Sequence, residues 1–454
     1  MGQTGPSGEK EETAMTHWDP RALEVIARLE RAGYQGFLVG GCVRDSLLSL
    51  TPHDYDAATS ALPGEIQRAC AGLTCVETGI RHGTVTVVCG GLPVEVTTFR
   101  REGTYSDHRH PDRVLFTDDL AQDLARRDFT INAMAWRDGG IVDPFGGQAD
   151  LERRLVRCVG DPDRRFEEDA LRLLRGLRLA AQLQFSIHPQ TAGAIRRHSP
   201  QLVHVAWERV AAEFVRLLCS PGAEAVLLDF PQAVSQVLPE LSPSIGFDQH
   251  TSHHCWDVYT HSVKTMGLVQ PVPAVRLAAL LHDVGKPHVF SLDEDGVGHF
   301  YGHPKRSAAL ASQALSRLRL DNATRERAVS LVERHHLPVE PTRPWVGRWL
   351  SRLGEEMFFQ LLDLKRGDAG ACNQEMEVRE ALDRAERMAW ELLEQQPCLT
   401  LKDLAVDGRD AMAVGLSGPA VGQALRTLLE AAAEGTVPNV RDALLKRLDR
   451  MARE

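Results

Sequence analysis

Residues 37–59, FLVGGCVRDSLLSLTPHDYDAAT, constrain this chain more than any other stretch. A short apolar run ends in Gly40-Gly41, a helix-forming turn carries Arg44 and Asp45, and Asp54 and Asp56 then flank Tyr55. Successive strand residues face opposite ways, so an extended segment puts both aspartates on one face. Two carboxylates held that close repel each other unless a divalent cation lies between them. Gly40 and Gly41 let backbone approach a ligand closely, and their amides suit an anion at a helix start. Carboxylates for metal beside a phosphate cradle describe a site for a nucleoside triphosphate with Mg2+. A bare Asp-x-Asp turn is weak evidence; the Gly-Gly-x-x-Arg-Asp element just upstream is what favours a site.

With 454 residues the chain has room for several domains, and 43% hydrophobic with 25% charged residues is ordinary for a globular protein. No apolar run reaches the roughly 18 residues of a membrane span, and no signal pattern opens the chain. Residues 1–15 are polar and read as a disordered tail, with Met15 an alternative start. Nine cysteines without a C-x-x-C pair suggest neither a zinc ribbon nor a disulfide framework, which points to the cytoplasm. The net charge of −10 does not exclude a nucleic-acid partner, because charge acts locally: residues 151–200 hold ten arginines against six acidic residues.

Strand and helix patterns alternate up to residue 145. Gly83–Cys89 and Pro93–Phe99 are short and β-branched around Gly-Gly-Leu, which predicts a hairpin. Beyond Leu151 the pattern turns helical, as in Asp169–Leu183 and Pro273–Leu281. The reading is an α+β head followed by an all-helical body. Within the hairpin, Glu95 sits between Val94 and Val96, as a third metal carboxylate or as a water-facing residue of an alternating strand. In DLARRDFTINAMAW, Arg126 and Arg127 suit a bidentate clamp on phosphate, with Asp128 orienting them or capping an apolar helix that follows. The preceding EGTYSDHRHPDRVLF reads as a mobile loop beside the site.

LVGGCVRD, HDYDAATS, GTVTVV with PVEVTTFR, DLARRDFTINAMA, DPFGG and RFEEDALRLLRGLRLAAQL follow in order over about residues 35–215. Together they resemble the bacterial class II tRNA nucleotidyltransferase / poly(A) polymerase family, which includes CCA-adding enzymes. The resemblance implies a polymerase-beta-like nucleotidyltransferase head over residues 16–145. A helical nucleotide-selecting and RNA-binding neck would follow over 146–245, then an HD domain over 246–375 and a helical tail over 376–454. It assigns Asp54 and Asp56 to magnesium with Glu95 assisting, and Gly41, Arg44 and Arg127 to the incoming nucleotide. Asp169, Arg172 and Arg175 would act as an amino-acid template for the base. On one helix these three, three residues apart, span an arc of about 120°, and their donors and acceptors match a Watson–Crick edge. An ordinary i,i+3 ion pair is the plain alternative. Arg178 falls on the far side of such a helix, where it suits a backbone or phosphate contact. The implied reaction is attack by an RNA 3′-hydroxyl on the α-phosphate of CTP or ATP, with tRNA as acceptor and pyrophosphate leaving.

Residues 249–368 carry a second constellation: His261, the pair His282-Asp283 in ALLHDVGKP, and Asp368, with His303 and His335-His336 between them. Mixed nitrogen and oxygen donors suit a second divalent metal. These segments resemble the HD superfamily of metal-dependent phosphohydrolases, with His303 and His335 or His336 able to complete a two-metal site. In the tail, Val421, Leu425, Leu428 and Leu429 form an apolar helical face, after a segment at 404–422 that reads as loop. Within the nucleotidyltransferase class the alternatives are poly(A), CC-only or A-only addition. Outside it they are an HD phosphohydrolase whose head only senses nucleotide, or a non-catalytic RNA-binding scaffold. Intact Asp54, Asp56 and Arg127 speak against the first, and a scaffold would have no need of two metal constellations.

Overall fold

The computed structural model describes residues 18–102, 114–138, 140–251, 255–372, 376–395 and 398–453. The expected tail at 1–15 and most of the expected loop beside the site lie outside them. Two compact units divide the chain, one up to Val205 and one from Ala206 onward.

In the first unit, Thr and Val alternate along β4 (Thr84–Cys89), so Val85 and Val87 are fully buried while Thr84 and Thr86 face the other side. β5 (Leu92–Thr98) pairs with it antiparallel, as the hairpin pattern predicts, and buries Val94 and Val96 on the same face. These strands belong to a seven-stranded sheet ordered β3-β4-β5-β2-β1-β8-β9. Its other members are β1 (Gly36–Val39), β2 (Tyr55–Thr59), β3 (Thr74–Gly79), β8 (Ala135–Arg137) and β9 (Gly140–Val142). Among the described residues of this sheet only β2 and β5 run parallel, and their register sets Asp56 beside Glu95. A separate ribbon pairs β6 (Arg100–Glu102) with β7 (Val114–Phe116). The amphipathic helix α1 (Pro20–Arg31), capped by Asp19, buries Ala22, Val25, Ile26 and Leu29. The opposite sheet face carries the polar residues.

Three local expectations are corrected. No apolar helix follows Arg126-Arg127: α4 (Leu120–Ala125) precedes them, and a 3-10 turn at Thr130–Asn132 leads into β8. The apolar AMAW segment pairs with β1, Val39 opposite Ala135, so a sheet neighbour overrides local helix preference. Asp169 does not lie on the helix that carries Arg172 and Arg175. It is extended (φ −151°, ψ 106°) between α6 (Pro162–Glu168) and α7 (Leu171–Leu183). Its carboxylate accepts the Leu171 N–H at 3.0 Å, the local competition with helix at which aspartate excels. The segment 404–422 contains a short helix, Gly408–Ala413, capped by Asp407.

DPFGG has a structural explanation. Asp143 accepts the N–H groups of Gly147 (2.7 Å) and Gln148 (2.9 Å), starting α5 (Gly147–Glu152). A Cβ at Gly147 would lie 2.3 Å from the Thr130 carbonyl, so only glycine allows this approach.

The second unit is helical apart from one two-residue strand pair, Ser291–Leu292 with Gly298–His299, among its described residues. One apolar cluster gathers Trp345, Leu350, Phe358 and Leu382. Another gathers Leu404, Ala411, Leu428 and Leu444, with Val421 and Leu425 packed against it, as the helical pattern predicts.

Candidate active site and candidate metal centre

β1 ends at Gly40, whose φ of +77° turns the chain into α2 (Gly41–Leu47). A side chain here is excluded twice over. The backbone is left-handed, and a Cβ would lie 3.1 Å from Arg127 Nη1 and 3.5 Å from an Asp56 carboxylate oxygen. Gly40, more than Gly41, therefore fixes how closely backbone, guanidinium and carboxylate meet. A cavity of about 550 Å³ opens at this point. Gly40, Gly41, Asp56, Glu95, Arg126, Arg127, Asp169, Arg172 and Arg175 all line it.

Burial pushes the Asp56 carboxyl up, Arg127 pulls it back, and Glu95 and Asp54 push it up again, so its pKa stays above the ordinary value. A partly buried acidic group that its neighbours resist ionising is what a bound cation would relieve. Asp54 does not line the cavity; it is exposed in a bend just before β2, near enough for its charge to act on Asp56. Glu95 is exposed between fully buried Val94 and Val96, so it faces both water and the site. These three carboxylates are not among the tightest acidic and histidine groups of the described residues, whose donor atoms lie within 4.8 Å of one another.

Asp123, which the sequence motif contains but does not advertise, organises the arginines. It is fully buried and accepts from Arg126 Nε (2.9 Å) and Nη2 (2.8 Å), from Arg127 Nη2 (3.4 Å) and from the Arg100 backbone N–H (3.2 Å). The signal was its i,i+3 and i,i+4 spacing to the two arginines. Asp128 does not have that role: it pairs with Arg175 at 2.8 Å. Burial raises the Asp128 carboxyl, but Arg175 and Arg172 outweigh it and hold its pKa below the ordinary value. Arg172 pairs with Glu168 and reaches the Arg126 carbonyl, so the break that frees Asp169 is bridged on both sides. Two expected nucleotide residues lie off the cavity wall. Arg44 is buried, paired with Asp45 at 2.7 Å and donating to Asn132 Oδ1 at 2.7 Å, and it is Asn132 that reaches the cavity. Arg178 lies one turn beyond Arg175 and donates to Gln182 at 3.4 Å.

In the second unit, His261, His282, Asp283 and Asp368 converge. Nε2 of His261 lies 3.0 Å from Asp368 and 3.3 Å from Nε2 of His282, which lies 3.2 Å from Asp283. Asp283 then faces His303 at 3.4 Å and His335 at 3.6 Å. His335, not His336, joins this group, since His336 is exposed and meets His303 only ring to ring at 5.4 Å. The tautomers are fixed by geometry. Nδ1 of His282, His303 and His335 lies 2.7–2.9 Å from the Ala279, Phe300 and Val332 carbonyls. A carbonyl only accepts, so each Nδ1 carries a hydrogen and each Nε2 turns inward, the nitrogen that a bound metal would take. Burial alone would lower His282, yet Asp283 and Asp368 push its pKa up to about 10. The centre favours positive charge, and its donors fit a divalent metal. Lys286 Nζ, at 2.7 Å from Asp283, is the residue of HDVGK that the sequence reading left out. A second cavity of about 600 Å³, lined by Asp283, Lys286, His303, His335, Lys365 and Asp368 among others, gives access.

Comparison with known proteins covers the segments that carry both sites. Residues 36–157 match the poly A polymerase head domain, residues 184–244 a probable RNA and SrmB-binding site of polymerase A, and residues 251–388 the HD domain. A CCA-adding enzyme of Levilactobacillus brevis is 36% identical over 437 residues, covering 93% of this chain and 96% of that protein. The crystal structure of the Bacillus stearothermophilus CCA-adding enzyme in complex with CTP has a TM-score of 0.75 at 28% identity, over 96% of this chain and 97% of that one. The Thermotoga maritima CCA-adding enzyme, solved in complex with tRNA, shares the fold with a TM-score of 0.58 at 19% identity, over 96% of each chain. Similarity that runs through the head, the neck and the HD segment alike leaves one assignment: the chain belongs to the CCA-adding enzyme family of nucleotidyltransferases.

Proposed function

We propose that this chain rebuilds the 3′ end of tRNA in the cytoplasm, adding C, C and then A from CTP and ATP without a nucleic-acid template. The observation that carries this reading is the single cavity in which two metal-type carboxylates, a glycine-arginine phosphate cradle and a donor-acceptor set for a base edge meet. Asp54, Asp56 and Glu95 would hold Mg2+, which supplies activation of the 3′-hydroxyl and charge neutralisation at the leaving phosphates. Arg127, aligned by Asp123 over the Gly40-Gly41 backbone, binds the triphosphate. Asn132, held by Arg44, closes the same wall. Asp169 offers acceptors and Arg172 donors toward the base, and the Arg175–Asp128 pair fixes the adjoining turn of α7. The test is direct: purified protein with tRNA lacking its 3′ CCA, CTP and ATP should give products longer by one, two and three nucleotides. Continuous A-tailing would indicate a poly(A) polymerase, and arrest after CC or after A alone a partial adder.

If Asp169 and Arg172 read the base edge, Arg172→Ala relaxes selection more than it slows addition. A buried polar group left unpaired costs about 1–3 kcal/mol, so discrimination against UTP and GTP should fall about tenfold or more. Measuring kcat/KM for all four nucleotides decides it; unchanged ratios would return Arg172 to a plain ion pair with Glu168.

The HD centre supports a second activity, metal-dependent hydrolysis of phosphate esters, because its inward Nε2 atoms and Asp283 are arranged for metal rather than for packing. His282→Gln with Asp283→Asn, which keeps side-chain size in this buried site, should abolish hydrolysis of 2′,3′-cyclic phosphate ends and leave C addition within about twofold. A folded double variant unable to extend tRNA would show that the two centres are coupled.

A further inference from the structure

The polar face of the head sheet continues past Glu95. Thr97 is the next residue of β5 on that face, and Thr84 of β4 pairs with it in register, the two hydroxyls 3.0 Å apart. His82, in the 3-10 turn Ile80–His82 that leads into β4, and Arg100, at the start of β6, line the same cavity. The Arg100 guanidinium donates to the His82 carbonyl, while its backbone N–H donates to Asp123. The turn that presents His82 is thus tied to the carboxylate that aligns Arg126 and Arg127.

Sheet order gives this group its place in the reaction. Along β4-β5-β2-β1, the glycine-arginine cradle lies on the β1 side of Asp56 and the Thr84–Thr97 pair on the β4–β5 side. In phosphoryl transfer the attacking and leaving oxygens lie roughly in line, on opposite sides of the phosphorus. A nucleotide whose leaving phosphates rest on the β1 side takes its attacker from the β4–β5 side. Hydroxyls and a guanidinium are common contacts to sugar and phosphate, and such contacts carry no base sequence. An acceptor that changes its last base at every cycle needs such indifference at its end.

We propose that His82, Thr84, Thr97 and Arg100 bind the RNA acceptor, holding the ribose and the last internucleotide phosphate of its 3′ end so that the terminal hydroxyl faces Asp56 and Glu95. The inference rests on the nucleotidyltransferase reading of the site. It separates these residues from the nucleotide-binding set in the same cavity, and a cross-strand threonine pair with no ligand role is the plain alternative.

The experiment uses the full-length protein and C addition to tRNA lacking CCA, with His82→Ala, Arg100→Gln, Arg100→Lys and Thr97→Val, each checked for folding by thermal melting and for CTP binding. Losing a charge-assisted contact should raise the KM for tRNA about tenfold in Arg100→Gln and leave the KM for CTP within about twofold, with Arg100→Lys partly restoring it. A second acceptor carries an uncharged methylphosphonate at its last linkage. Wild type should lose about tenfold in kcat/KM on it, while Arg100→Gln, already without the contact, loses about twofold or less. An equal loss in both, or a rise in the KM for CTP with that for tRNA unchanged, overturns the proposal. Should Arg100→Gln fail to fold, His82→Ala and Thr97→Val carry the same comparison. A wild-type protein that adds nothing to tRNA would instead sink the functional reading itself.

Discussion

Asp56→Ala is expected to lower nucleotide addition by more than about 100-fold while the protein stays folded and still binds tRNA. Replacing mere partners of metal ligands costs about 10–100-fold, and Asp56 is proposed as a ligand itself. The alanine variant should melt no lower than wild type, because burial, with Glu95 and Asp54 adding to it, outweighs Arg127 and pushes the Asp56 carboxyl up, so removing this charge relieves an unfavourable one. Both readouts matter. Loss of activity with a lower melting temperature would make Asp56 a structural residue, and activity near the wild-type rate would remove it from the chemistry. The sign of the pH effect follows from the same shift. A carboxyl whose folded pKa is raised binds a proton more readily in the folded state than in the unfolded one, so its contribution to stability is unfavourable above that pKa and fades as pH falls through it.

Asp123→Ala is expected to damage both stability and nucleotide binding, with no direct contact to substrate. Asp123 is fully buried and satisfies Arg126, Arg127 and the Arg100 backbone. Breaking a buried ion pair from one side costs about 3–5 kcal/mol when the remaining charge cannot reach water. Here the two arginines keep 16% and 17% exposure, so the lower end, about 3 kcal/mol, is expected. The released Arg127 loses its alignment over Gly40, and the KM for CTP should rise more than that for tRNA. Asp123→Asn keeps the shape and one acceptor, and should recover most of the stability but little of the nucleotide affinity. Denaturant unfolding and steady-state kinetics on both variants decide this. A stability loss with unchanged KM for CTP would confine Asp123 to packing.

What was legible in the sequence is what local patterns encode. Two short β-branched runs around Gly-Gly-Leu gave the hairpin, because such runs favour strands and the glycines favour the turn. Gly40-Gly41, Asp56 and Arg127 were readable from their own chemistry, whereas Glu95 left two readings open and Arg172 and Arg175 joined them only through the family resemblance. The HD histidines were likewise readable as a group from their own chemistry.

The tertiary structure decided what depends on neighbours far along the chain. The parallel pairing of β2 with β5 brings Glu95 beside Asp56, and no property of either segment contains that register. Pairing with β1 made a strand of AMAW, whose local preference is helical. A side-chain bond to Leu171 holds Asp169 outside the helix, so the proposed base-reading set is assembled across a break and not along one face. The choice of His335 over His336, of Asp123 over Asp128 as the arginine anchor, and of Asn132 in place of Arg44 at the cavity wall likewise needed coordinates. His335 and His336, like Asp123 and Asp128, are chemically equivalent candidates within a few residues of each other, whereas Asn132 and Arg44 are far apart in the chain and meet only in the fold. Sequence fixes which groups exist, whereas the direction in which each one points is set by packing across the whole unit.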